Sequence, residues 1–120
     1  SGSPRREFLH SDDLADAVYY MLNNYNLPNK NEVNNFEEID YFFNVGSGKD
    51  IPIKNLASQI KNITGFLGNL QYDISKPDGT PRKLLDVKKI ESHGWKYKTE
   101  LEEGIRKMYK WYIENQRDDK

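Results

Sequence analysis

Three stretches of this chain carry apolar residues at helical spacing, and the strand-like runs between them are only five or six residues long. Elements this short, alternating in this way, restrict the chain to a small mixed α/β domain. The first stretch, SDDLADAVYYMLNNYN, puts Leu14, Ala17, Val18, Met21, Leu22 and Tyr25 on one stripe. Ser11 or Asp12 suits its first amides, and Asp13 and Asp16 suit the positive end of its dipole. The second puts Ile53, Leu56, Ala57, Ile60 and Ile63 on one face, opened by Pro52 and closed by Gly65. The third starts at Thr99, carries Leu101, Ile105, Met108, Tyr109 and Tyr112, and spaces Thr99 and Glu102 as a capping box. A shorter helix is predicted over Val87–Gly94, with Trp95 packing behind it. Strands are predicted at REFLH (Arg6–His10), YFFNV (Tyr41–Val45) and NLQYDI (Asn69–Ile74). The asparagine-rich NLPNKNEVNNFEEID reads as a surface loop, and the charged tail after Asn115 as a frayed end. No repeat or internal boundary divides residues 1–120, so the reading is one domain of three strands and four helices.

Charge and composition narrow the function classes. The chain has 120 residues, with 18 basic and 19 acidic side chains. So balanced a chain has no global field to attract nucleic acid or an anionic membrane, and any anion site must be local. No apolar run approaches the ~20 residues of a membrane-spanning helix. Cysteine is absent, which excludes disulfides and thiol catalysis and fits a reducing compartment. The start, SGSPRREFLH, reaches strand-like sequence within a few residues, as if cut from a longer chain. Ser1-Gly2-Ser3 reads either as native sequence or as vector residues.

The chemistry-bearing residues are few. His10 stands beside Asp12 and Asp13, but adjacency in sequence does not make a triad, and helix capping accounts for the aspartates without a metal. His93 precedes a helix-ending glycine, where a cation suits the dipole. NVGSGKD lacks the spacing of a phosphate loop, and a plain strand-to-helix turn explains it; its amides remain available to an anion. Trp111 and the tyrosines of the last helix read as core. Two basic spots stand out: Arg5-Arg6, and Lys76, Arg82 and Lys83 around the turn of SKPDGTPRKLLD. Arginine presents a planar fork suited to phosphate, and lysine a point charge. The two spots either meet in space and clasp a diphosphate or are ordinary solvated charge. No catalytic or metal-binding set is visible.

Four segments, SGSPRREFLHSDDLADA, NVGSGKDIPIKNLASQI, SKPDGTPRKLLD and GWKYKTELEEGIRKMYKWYIEN, occur in this order and together resemble the carboxy-terminal part of the GDP-L-fucose synthase family, extended short-chain dehydrogenase/reductases. The resemblance covers nearly the whole chain and is loosest in the asparagine-rich loop. It implies a small mixed α/β substrate-binding domain without its Rossmann partner. It also implies a parent enzyme that epimerises GDP-4-keto-6-deoxy-D-mannose and reduces it with NADP(H) to GDP-L-fucose, a cytoplasmic homodimer joined through the missing domain. The family's glycine-rich fingerprint and catalytic cysteine are not in this sequence, and its acid–base histidine lies upstream, so His10 is not that residue. The chain alone is therefore expected to bind a GDP-sugar weakly, to hold no cofactor and to catalyse nothing. By motif, the substrate contacts fall on Arg6, Asp78 and Lys83, with Arg82 added on charge and proximity. Lys76 is left to solvent. Pro52 replaces a helix-capping hydroxyl common in the family. The alternatives are another nucleotide-sugar epimerase or dehydratase of the same superfamily, or a non-catalytic nucleotide-sugar-binding module.

Overall fold

The fold is described from a computed structural model, for residues 1–26 and 42–115. The elements run β1 (Arg5–Glu7), α1 (Ser11–Asn24), β2 (Asp50–Pro52), α2 (Ile53–Thr64), β3 (Arg82–Lys83), α3 (Lys88–Ser92) and α4 (Leu101–Asn115). The strands form one sheet in the order β2-β1-β3. β1 pairs antiparallel with β2 and parallel with β3, with Arg6 opposite Ile51 on one side and Lys83 on the other. The asparagine-rich loop, Tyr41 and the tail after Asn115 lie outside the described residues.

A mixed α/β domain with the expected helices is what the structure shows, but its strands are mostly elsewhere. β1 stops at Glu7, because Phe8–His10 already turns into the first helix. The Phe42–Val45 part of YFFNV is not a strand. Its composition signals burial, and burial is what it has. Phe43 stands edge-on to Tyr25 and His93, with ring centroids 4.9 and 5.2 Å away, and Val45 packs on the core. A strand also needs a partner backbone, and no described strand pairs with it. NLQYDI likewise has no ladder, and Ile74 is exposed. Asp73 Oδ1 accepts from the Ser75 N–H and hydroxyl, an Asx turn that ends the segment. The true second and third strands are the charged pieces Asp50–Pro52 and Arg82–Lys83, which no apolar pattern announces.

The helices show why caps are harder to place than stripes. His10, not Ser11 or Asp12, caps α1: its Nδ1 accepts from the Asp12 N–H at 3.2 Å. Asp13 is freed for a longer reach. Buried to 4 % exposure, it accepts from the Thr99 N–H at 2.9 Å and faces the Thr99 hydroxyl at 3.4 Å. That tether ties the start of α1 to the approach to α4 and takes the hydroxyl the expected capping box needed, while Glu102 pairs with Arg106 instead. Pro52 supplies no side-chain cap to α2. The carbonyls of Pro4 and Gly2 accept from the Ile53 and Lys54 amides at 3.0 and 2.8 Å, so the chain's first residues close that helix end. Gly65 ends α2 at φ 69°, the left-handed turn expected of it.

The core gathers Ala17 of α1, Val87, Ile90 of α3 and Trp95, with Leu9, Tyr20, Met21, Phe43, Val45 and Tyr97 packed around it. Trp95 is anchored twice, by its ring in the core and by its Nε1–H donated to Asp16 at 2.9 Å. Asp16 also holds the Lys98 ammonium at 2.9 Å, and these two donors, Lys98 first, keep its carboxyl below the usual range. The apolar stripes are wider than this core. Leu14, Val18 and Leu22 stay at the surface of α1. Met108, Trp111 and Tyr112 are half-exposed or more on α4, so Trp111 is not the core residue expected of it. Met108 and Tyr112 border an open apolar groove of about 590 Å³ between α2 and α4.

Candidate functional site

The sheet decides which of the five basic residues act together. Side chains alternate across a strand, so neighbours in β3 face opposite ways. Arg5 and Arg82 stand opposite one another and close on Asp50. Arg5 reaches its Oδ1 at 2.8 Å, and Arg82 Nε donates to Oδ2. The two guanidinium groups, Arg5 first, hold the Asp50 carboxyl below the usual carboxylate range. Arg82 is thus a strut between β3 and β2, and its charge is already answered. Lys76 is exposed, as expected.

A carboxyl depressed in the folded state adds stability that is present above its unfolded pKa, near ~4, and is lost as pH falls through the lower folded value. Asp50→Asn should therefore lower the thermal midpoint near neutrality, and the gap to wild type should close in acid. A gap that stayed constant from pH 7 to pH 3 would show that this ion pair does not support the sheet.

The second pair faces a groove. Arg6 and Lys83 stand opposite one another in the parallel register, and both line a cavity of about 530 Å³ with Glu7, Leu9, Val45, Gly46, Leu84 and Leu85. Arg6 is already aimed. Its Nη1 donates to the Arg5 carbonyl at 2.7 Å and the Thr80 carbonyl at 2.8 Å. Two carbonyls on one nitrogen fix the plane of the fork, and its other donors meet no acceptor among the described residues. The Lys83 ammonium is exposed and likewise makes no ion pair or hydrogen bond among them. A planar fork and a point charge over an apolar floor suit an anion attached to something flat or apolar. The two basic spots do meet in space.

Asp78 lies outside that groove. It accepts from the hydroxyl of Ser1, with the Ser3 hydroxyl at 3.3 Å. The Ser1 hydroxyl is the first cause that holds its carboxyl low. Of the four sequence-derived candidates, the structure brings together Arg6 and Lys83, places Asp78 on the chain's first residues and commits Arg82 to Asp50.

Sequence reasoning passed over Glu7. One carboxylate oxygen accepts from the Gly48 N–H at 2.6 Å and the Ser47 hydroxyl at 3.4 Å, and the other accepts from the Leu85 N–H at 2.9 Å. The Gly46–Gly48 turn therefore spends its Gly48 amide on a carboxylate of this chain and does not offer a dinucleotide phosphate a cradle. The one signal was an acid placed between an arginine and a phenylalanine in a strand, where an apolar residue is the usual choice. Gly46 makes room for it: a Cβ there would run into Glu7, with Cδ only 2.9 Å away. Gly46→Ala should cost about 1–3 kcal/mol by overpacking, read from urea unfolding. Gly46 has no positive φ, so an unchanged midpoint would mean that the Glu7 carboxylate yields freely.

The small sheet with its flanking helices resembles part of several solved nucleotide-sugar enzymes. Residues 1–36 match the NAD dependent epimerase/dehydratase family. A GDP-6-OMe-4-keto-L-xylo-heptose reductase from C. jejuni superposes with a TM-score of 0.84 and 44% identity, over 95% of this chain and 32% of that one. A GDP-mannoheptose C4 reductase from Campylobacter jejuni, solved with NADP bound, superposes at 0.74 and 44% identity, over 94% of this chain and 33% of that one. The chain is also similar to GDP-L-fucose synthases: it is 50% identical over 115 residues to the probable GDP-L-fucose synthase 1 of Oryza sativa subsp. japonica. That alignment takes in 96% of this chain and 31% of the rice protein, so the chain spans about a third of the length of the curated relative it matches.

Proposed function

We propose that residues 1–120 are the nucleotide-sugar-binding domain of a longer epimerase-reductase that converts GDP-4-keto-6-deoxy-D-mannose to GDP-L-fucose. The observation that carries this is the register of β1 against β3, which sets Arg6 and Lys83 over one groove. Their charges oppose those of a GDP diphosphate, and the apolar floor of Leu9, Val45, Leu84 and Leu85 suits the less polar parts of the ligand. The homology to GDP-L-fucose synthases and the likeness to GDP-sugar reductases supply the class of ligand. Asp78 is proposed to accept from guanine or sugar donors once its present partners give way, and Arg82 to assist through the sheet it braces.

NADP(H) belongs, in this reading, to the larger domain of the full-length enzyme. The residues present do not fit it: the one glycine-rich turn is occupied by Glu7. The chain's own part is to bind and orient the diphosphate, which fixes the sugar relative to a hydride donor and to acid–base groups held elsewhere. No helix among the described residues is long and apolar enough to cross a membrane. In this reading the full-length enzyme is cytoplasmic, which the lack of cysteine in this sequence fits, and a homodimer through the larger domain.

Isothermal titration with GDP tests the groove. The expected result is weak, measurable binding by wild type that Arg6→Ala with Lys83→Ala abolishes; equal binding by both would remove the diphosphate assignment. A second reading, a reductase for another GDP-linked 4-keto sugar, is favoured by the 44% identity to the heptose reductases. Turnover of the full-length enzyme with GDP-4-keto-6-deoxy-D-mannose and with GDP-4-keto-heptoses separates the two.

A further inference from the structure

We infer that Glu7 is the positioning residue of the anion groove, holding Lys83 in place opposite Arg6 through the amides of Leu85 and Gly48. The inference rests on the diphosphate reading of that groove.

The geometry has three parts. β3 is only two residues long, Arg82 and Lys83, and it meets β1 on one side alone. So short an edge strand is poorly fixed by its ladder. Its entry is clamped, since the Arg5 N–H donates to the Pro81 carbonyl at 2.8 Å and Arg6 grips the Thr80 carbonyl. Its exit has one described clamp of the same kind, the Leu85 N–H donated to Glu7 Oε2 at 2.9 Å. Lys83 sits between those two clamps. The other oxygen of Glu7 takes the Gly48 N–H, which pins the turn bearing Gly46 on the far wall of the same groove. One carboxylate thus joins β1, the exit of β3 and the Gly46–Gly48 turn, three segments that are far apart in sequence and together line the groove.

The carboxylate form is what the arrangement requires. Both oxygens face N–H donors, so each must accept. A carboxamide presents one oxygen and one NH2, and whichever way it turns, a donor meets a donor. Glu7→Gln therefore releases either the β3 exit or the glycine turn while leaving the size of the side chain unchanged. It also makes the groove more positive, which on charge alone strengthens anion binding. Positioning and bare electrostatics thus predict opposite signs.

The test measures GDP affinity by titration calorimetry for wild type, Glu7→Gln and Asp16→Asn, at a temperature where circular dichroism shows all three folded. Amide hydrogen exchange is followed at Lys83, Leu85 and Gly48. Asp16→Asn is the control for general loosening, because it weakens the tie from α1 to Trp95 and Lys98, away from the groove. The expected result is GDP affinity reduced about tenfold in Glu7→Gln, the scale of a lost charge-assisted hydrogen bond. Affinity should be near wild type in Asp16→Asn, with faster exchange at Leu85 or Gly48 confined to Glu7→Gln. Equal or tighter GDP binding by Glu7→Gln overturns the inference and leaves the diphosphate reading standing. Absence of GDP binding by wild type overturns that reading instead. Exchange then decides the role of Glu7: faster exchange at Leu85 or Gly48 in the variant supports it as the clamp, and unchanged exchange at both rejects it. Should Glu7→Gln not fold, Glu7→Asp takes its place, since the shorter acid keeps the charge and loses the span, with the same outcomes.

Discussion

Trp95→Ala is expected to leave the chain unfolded, or close to it, at 25 °C. Trp95 is 2 % exposed and is the largest side chain in a core whose other buried members are Ala17, Val87 and Ile90. Truncating a buried tryptophan removes about 3–5 kcal/mol through lost transfer energy and an unfilled cavity. A domain of this size has about 5–15 kcal/mol in total. The apolar groove between α2 and α4 and the exposed face of α1 place this chain toward the lower end, because much of its apolar surface lies outside that core. The indole also donates to Asp16, which is shared with Lys98. Alanine therefore breaks a three-residue bridge between α1 and the segment leading to α4 as well as opening a cavity. Loss of the near-ultraviolet signal and of the cooperative urea transition is the expected readout. Trp95→Phe separates the two contributions: it refills most of the cavity and lacks the N–H, so it should recover cooperative unfolding at a lower midpoint than wild type. A Trp95→Ala chain that unfolded cooperatively with a midpoint near wild type would show that the core lies elsewhere.

How much of this was legible in the sequence depends on what kind of interaction fixed each element. The stripe of α2 and its Gly65 stop were readable because their physics is local, whereas its start was not: Pro52 belongs to β2, and the Ile53 and Lys54 amides donate to the distant carbonyls of Pro4 and Gly2. α4 was readable as a helix but not at its start, because the Thr99 hydroxyl that suggested a capping box faces Asp13, 86 residues away in sequence. The strands were the least legible. Phe42–Val45 and Asn69–Ile74 have strand composition and no ladder, whereas Asp50–Pro52 and Arg82–Lys83 form the sheet with charges and a proline. Strand composition records burial and shape, and a ladder is a relation between distant segments that composition does not encode. The site followed the same division. Charge and turn chemistry singled out two basic spots that either met or did not, the family resemblance chose Arg6 and Lys83 from them, and the register sets those two opposite one another. The same register moved Arg82 to the other face, where Asp50 neutralises it. Glu7 could not be found from its own position, since its meaning lies in three donors from two distant segments.

Loss of both groove cations should have the largest effect on binding of any change in this chain. A hydrogen bond to a charged group contributes about 1.5–3 kcal/mol, so removing the Arg6 fork and the Lys83 ammonium together should weaken GDP binding by about 10²–10⁴-fold. The two residues should not fail alike. Lys83 makes no ion pair or hydrogen bond among the described residues, so Lys83→Ala should reduce affinity while leaving the thermal midpoint near wild type. Arg6 also holds the Arg5 and Thr80 carbonyls through Nη1, so Arg6→Ala should lose affinity and stability together and loosen the Pro77–Pro81 turn. Arg6→Lys should not rescue it: an ammonium in place of the fork cannot hold two carbonyls and present a planar edge to a phosphate at once. Ionic strength provides the independent check. Screening weakens exposed charge pairs within a Debye length of about 8 Å at physiological salt, so wild-type affinity should fall as salt rises, and the Arg6→Ala, Lys83→Ala chain should show a flatter dependence. A double variant that bound GDP as wild type does, with the same salt response, would place the diphosphate away from β1 and β3 and return these two cations to the solvated surface.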